Sequence, residues 1–161
     1  MRFTLDSNIL VCAADGRDTR RRDSAIAIIG GANLGDCLLT PQSLAEFFHV
    51  VTRKRLIPRP DAAGQVRRWA ALFPITQGAD AAAVLTAVEA ATTGRFQFYD
   101  ALLIVTAAAA GCHAMISEDM AAGTELAGLR IVPAFTATGD VAPAAQALLG
   151  TAPATDAPGR G

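Results

Sequence analysis

The sequence predicts an α/β layered fold around a central, mainly parallel sheet of four to five strands. Short apolar segments with the length of buried strands occur at 2–5 (RFTL), 37–40 (CLLT), 114–117 (AMIS) and 129–132 (LRIV). Helical pattern is read between each and the next. Strands that alternate with helices pair in parallel, because a right-handed helical crossover returns the chain to the same end of the sheet.

In chain order, RFTL stops at Asp6, and a helix begins at once with Ser7, Asn8 and further apolar residues. The segment DTRRRDSAIAIIGG reads as a second helix running into the turn-rich GGANLGD. Thr40 followed by Pro41 is a cap with proline at the first helical position, and opens PQSLAEFFHVVTRK. Pro60 and Asp61 open DAAGQVRRWAALF, which closes before Pro74. Asp80 caps AAAVLTAVEAATTG, with Gly94 as its stop, and Tyr99 and Asp100 open ALLIVTAAAAG, which Gly111 ends. Residues 1–135 are expected to form the domain. Residues 136–161 are expected to be an Ala- and Pro-rich tail, partly disordered, with a short helix around AAQALLG.

With 161 residues, 52% hydrophobic and 18% charged, the chain is long and apolar enough for one globular core. The net charge of −1 says little, but its distribution is uneven: six of 14 basic residues fall between Arg53 and Arg68, and Arg20, Arg21 and Arg22 form a run. Guanidinium pairs with phosphate through two parallel hydrogen bonds, so these segments read either as solvated helix faces or as surface for an anionic ligand. Cys12, Cys37 and Cys112 are odd in number, far apart and in apolar context, as expected of reduced thiols in a cytoplasmic protein. The chain opens with no secretory leader pattern, and its most apolar stretch, ALLIVTAAAA, is half the length of a membrane span.

In a parallel α/β sheet, ligands bind at the carboxyl ends of the strands. Asp6 directly follows RFTL, and Ser117, Glu118 and Asp119 end or follow AMIS. Asp100 opens the helix leading into AMIS, and Glu46 lies on the helix after CLLT. Taken singly, Asp100 and Asp119 read as helix caps and Glu46 as a border residue of an apolar stripe. Taken together, four acids converging in apolar context repel one another unless a cation lies between them. Carboxylates without a His or Cys cluster select Mg2+ or Mn2+ over zinc. His49 and His113 lack metal-motif spacing, and the chain has no G-x-G-x-x-G, no phosphate-binding P-loop, no G-x-S-x-G elbow and no paired D-x-D at Asp6.

LDSNIL, the Glu in SLAEFF, FYDALLIVTAAAAGC and MISEDM followed by LRIVPAF together resemble the PIN-domain ribonucleases, most closely VapC-type toxins of toxin-antitoxin pairs. The resemblance spans roughly 1–135 and implies a three-layer α/β/α PIN-like fold and Mg2+-dependent hydrolysis of RNA. It implies Asp6 and Asp100 as central metal ligands, with Asp119 and Glu46 completing the catalytic site. Asn8 and Ser117 are then the side chains that orient the carboxylates, and Arg20, Arg21, Arg22, Arg53 and Arg55 the RNA-binding candidates. Glu118 leaves open which of two adjacent acids faces the site. A VapB-type antitoxin and a homodimer are the implied partners. The other readings are a catalytically silent PIN-like RNA- or protein-binding module, and a nuclease or phosphatase acting on another phosphoester.

Overall fold

The computed structural model describes residues 1–150. The elements run β1 (Phe3–Leu5), α1 (Ser7–Ala14), α2 (Thr19–Asn33), β2 (Cys37–Leu38), α3 (Pro41–Arg53), α4 (Arg59–Leu72), α5 (Ala81–Thr92), α6 (Phe98–Ala109), β3 (Ala114–Ser117), β4 (Glu125–Leu126), β5 (Leu129–Pro133) and α7 (Pro143–Gln146). The sheet order is β2-β1-β3-β5-β4. All pairs are parallel except β4 with β5.

The alternation of side chains along each strand divides the core in two. Phe3, Leu5, Ala114 and Ile116 face one side, where Ile9, Leu10, Ile28, Phe47 and Trp69 from α1 to α4 cover them. Met115, Leu129 and Ile131 face the other side, under Leu103, Ile104 and Ala107 of α6. Helices on both faces of a mostly parallel sheet give the expected three layers.

Thr40 and Asp80 cap as the sequence indicates, and Asp18, read from the sequence as the start of the helical segment, caps α2. Thr40 accepts from Ser43 N at 3.0 Å, Asp18 from Arg21 N at 3.1 Å and Asp80 from Ala83 N at 2.8 Å. Two helices start earlier than their sequence markers: α4 at Arg59, and α6 at Phe98, which places Asp100 inside the first turn. The link from β3 to β5 differs from expectation. It contains no helix, and instead holds a loop and the two-residue β4, which runs back antiparallel on β5.

The segment after Phe135, expected as tail, is folded as far as it is described. Phe135 bridges Val141, Ser24 Oγ donates to Gly139 O at 2.7 Å, and Ala142 and Ala145 are buried. Leu148 and Leu149 pack on the first core cluster, and Gly150 N donates to Gly31 O at 3.0 Å. The rest of the expected tail, 151–161, lies outside the described residues. No described helix is long and apolar enough to cross a membrane.

Candidate acidic site at the carboxyl edge of the sheet

Strand register builds the site. Leu5 pairs with Ile116, and Asp6 N extends the ladder by donating to Ile116 O at 3.0 Å. That rung sets the Asp6 carboxylate against Ser117, whose hydroxyl donates to Asp6 Oδ2 at 2.7 Å. Asp6 occupies the cap position of α1, yet its side chain makes no capping bond. Ser7 and Asn8, the next two residues, also reach across the site. Ser7 Oγ donates to Glu46 Oε2 at 2.6 Å, and Asn8 Nδ2 donates to Asp119 Oδ1 at 2.6 Å.

The four acids therefore come from four elements. Asp6 follows β1, Glu46 lies on α3, Asp100 in the first turn of α6, and Asp119 just past β3. Gln42, one helical turn before Glu46, donates through Nε2 to Glu46 Oε1 at 2.7 Å and to Tyr99 O at 2.9 Å, tying α3 to the start of α6. The sequence reading passed over Gln42; its signal was the i, i+4 spacing to Glu46.

The hydroxyl protons do not suffice for the oxygens that face them. Ser117 Oγ lies 2.7 Å from Asp6 Oδ2 and 3.3 Å from Asp119 Oδ1, and Ser7 Oγ lies 2.6 Å from Glu46 and 3.4 Å from Asp6 Oδ1. Each hydroxyl carries one proton, so each serves one carboxylate and leaves its lone pairs toward the other. Asp6 is also only 4% exposed. Burial raises its carboxyl, Ser117 partly offsets this, and repulsion from Asp119, Asp100 and Glu46 adds to it, giving a pKa of about 7. Asp100 is raised too, by burial and then by Asp119 and Glu46. Such a site gains stability from a bound proton or a cation.

The donor chemistry suits a hard cation, since carboxylate oxygens approach one another with no His or Cys among them. Among the described residues, no three acidic, His or Cys side chains converge tightly enough to enclose an ion as they stand. Asp119 is exposed and Asp100 half-buried, so both side chains have room to turn inward.

Glu118 points away from the four acids. It accepts from Cys12 Sγ at 3.0 Å and forms a close ion pair with Arg21. Of the adjacent acids, Asp119 is the one bonded to Asn8 and beside Asp6. The Arg20–Arg22 run is engaged internally: Arg20 with Asp140 at 2.8 Å, Arg21 with Glu118, and Arg22 with Asp23 at 3.1 Å. Arg53 and Arg55 are exposed and enter no ion pair among the described residues. His49 and His113 are both exposed, at α3 and at the start of β3. All three thiols are free. Burial pushes the Cys12 thiol up to about 12, with its bond to Glu118 adding to this, and pushes Cys112 up to about 11. A cavity of about 590 Å³ between Ala14, Ile29, Ile57 and Trp69 contains none of the four acids, so chemistry rather than volume marks the site.

A three-layer α/β/α domain with an acid cluster at the carboxyl edge of its sheet is the class these features define. The model of the PIN domain family matches residues 3–122, and the chain belongs to that family. Among curated proteins, no sequence matches the chain. Several solved structures share its fold. VapC20 of Mycobacterium tuberculosis, a sarcin-ricin loop cleaving toxin, is 14% identical with a TM-score of 0.57, over 70% of this chain and 86% of that one. VapBC2 from Rickettsia felis, bound to a DNA fragment from its promoter, is 16% identical with a TM-score of 0.60, over 83% and 98%. VapBC-1 from nontypeable Haemophilus influenzae is 12% identical with a TM-score of 0.50, over 74% and 87%. At these identities the likeness is one of fold.

Proposed function

We propose that this protein is a Mg2+-dependent endoribonuclease that hydrolyses RNA phosphodiester bonds and acts as the toxin of a VapBC-type pair. The observation that carries the proposal is the gathering of Asp6, Glu46, Asp100 and Asp119 from four elements, with too few protons between them and Asp6 raised to about 7. A structural role alone does not account for acids arranged to repel one another.

Asp6 and Asp100 would hold Mg2+, or Mn2+ in its place, with Asp119 and Glu46 completing the set. When bound, the ion supplies an activated water and charge stabilisation for in-line displacement at phosphorus. Ser117 and Asn8 fix the directions of Asp6 and Asp119, and Gln42 and Ser7 fix Glu46. Of the five arginine candidates, Arg53 and Arg55, which enter no ion pair among the described residues, are the better placed for RNA phosphates. The fold likeness to VapBC2 and VapBC-1 supports a VapB-type antitoxin as partner, and the working state proposed with it is a homodimer.

The test is cleavage of an RNA pool by the full chain with Mg2+ or with chelator. Cleavage is expected only with the metal. Asp6→Asn and Asp100→Asn are expected to remove it with the circular dichroism spectrum retained, and full cleavage by both variants overturns the proposal. Ser117→Ala, which leaves every carboxylate in place, is expected to lower the rate by about 10- to 100-fold.

A further inference from the structure

A small cleft of about 190 Å³ opens directly beside the acids, with Asp100 and Asp119 forming part of its wall. Arg95, Phe96 and Gln97, which precede α6, and Met120 and Thr124 of the loop after β3 also line it. Its volume is below the roughly 300 Å³ at which sites for drug-sized ligands begin. It is the size for one base rather than a folded dinucleotide.

Beside Asp100 and Asp119, three polar side chains of this cleft have no ion-pair or hydrogen-bond partner among the described residues: Arg95, Gln97 and Thr124. Gln97 is the cap residue of α6, yet its amide makes no capping bond, and no side-chain hydrogen bond of Gln97 or Thr124 occurs among the described residues. Arg95 lies 5.7 Å from the centre of the Phe96 ring and enters no ion pair among the described residues, whereas Arg20, Arg21 and Arg22 all do. An amide with donors and an acceptor, a hydroxyl, a guanidinium plane and an aromatic ring thus surround one space. Single-stranded RNA is read by this combination: bases stack on aromatic rings and guanidinium planes, and their edges bond to amides and hydroxyls.

We propose that the cleft formed by Arg95, Phe96, Gln97, Met120 and Thr124 is the subsite for the nucleobase adjoining the scissile phosphate, and that Gln97 sets which base it accepts. This rests on the ribonuclease reading above. Because Asp100 and Asp119 are common to cleft and acid site, a strand whose phosphate meets the acids places a neighbouring base at the cleft mouth. Phe96 and Arg95 supply stacking, which tolerates any base, and the Gln97 amide supplies the directional bonds that discriminate.

Two measurements test this, one of which does not depend on turnover. In the first, the wild-type chain and Gln97→Ala cleave a randomised RNA pool, and the cut ends are sequenced. A base preference at one position next to the cut is expected to relax in Gln97→Ala; an unchanged preference at every position overturns the subsite while leaving the nuclease reading standing. In the second, binding of fluorescein-labelled RNA pentamers is measured on an Asp6→Asn background. Phe96→Leu and Gln97→Ala are each expected to weaken binding, Phe96→Leu by roughly tenfold. Equal affinities with and without the two substitutions overturn the subsite. If no wild-type cleavage of any RNA is found, the nuclease reading falls and the placement beside a scissile phosphate falls with it, while the binding measurement still decides whether the cleft holds a base. Gln97 is exposed, so its variant keeps the test open even if the half-buried Phe96 proves necessary for folding.

Discussion

Asp6 occupies a position that ordinarily calls for a capping side chain, and its oxygens are turned to other work. Its place at the end of the first strand was legible in the chain because a lone carboxylate interrupts an apolar run. Its partners were less so: Ser7 and Asn8 read as the first residues of a helix, and only the tertiary fold brings Glu46 within reach of one and Asp119 within reach of the other. The choice between Glu118 and Asp119 was likewise illegible, since alternation past a strand end is not fixed by sequence; Arg21 and Cys12 draw Glu118 the other way. The raised pKa has a consequence for stability. The folded carboxyl titrates at about 7 against 3.8 for the free group, so protonated Asp6 contributes stability in full below 3.8, and that contribution is lost as pH rises through about 7. With chelator present, Asp6→Asn is therefore expected to be more stable than wild type at pH 8 and indistinguishable from it at pH 3, as measured by urea unfolding. Mg2+ is expected to raise the wild-type midpoint at pH 8 and to leave that of Asp6→Asn almost unchanged. Equal stability of the two proteins at both pH values contradicts the burial account.

At the scale of elements, the strands and most helices were readable because period and punctuation agree: Thr40 with Pro41, Asp18 and Asp80 all cap as their residue types dictate. The helix α6 starts at Phe98, one residue before its Tyr99 marker, because Gln97 caps by position and not by side chain and gives no compositional signal. The strand β4 was invisible for a different reason. Two residues, Glu125 and Leu126, carry no periodicity, and the left-handed Ala127 and Gly128 that turn the chain into β5 are recognisable only from their backbone angles. One residue within an element works against it. Thr4, on the interior strand β1, is fully buried and its hydroxyl has no partner among the described residues. An unpaired buried hydroxyl costs about 1 kcal/mol or more, and valine has the same branched shape without it. Thr4→Val is accordingly expected to raise the urea midpoint by the equivalent of about 1 kcal/mol; a lower midpoint means that the hydroxyl is satisfied in solution.

For the molecule as a whole, the sequence places the end of the domain too early. Beyond Phe135 the residues are small and aperiodic, which is the composition of a tail, but here smallness is what allows close packing: Ala142 and Ala145 are buried, and Leu148 and Leu149 close over the end of α2. The fit depends on Gly31, where an added Cβ lies 2.9 Å from Leu149 Cβ, while at Gly30 nothing lies within 4 Å. The two neighbouring glycines therefore answer different questions. Alanine is the better helix former by about 1 kcal/mol, so Gly30→Ala is expected to stabilise the protein by up to that amount. Gly31→Ala receives the same helical gain but forces the C-terminal segment off α2, and crowding of a packed contact typically costs about 1–3 kcal/mol, so its net effect is expected to be destabilising. Ending the chain at Phe135 exposes the face that Ala142, Ala145, Leu148 and Leu149 cover, and is expected to lower the thermal midpoint by more than Gly31→Ala does. In that shortened chain Gly30→Ala and Gly31→Ala become equivalent, both mildly stabilising, because Leu149 is no longer there to be met. Should the two remain as far apart in the shortened chain as in the full one, the penalty at Gly31 lies within α2 itself and not in its contact with the C-terminal segment.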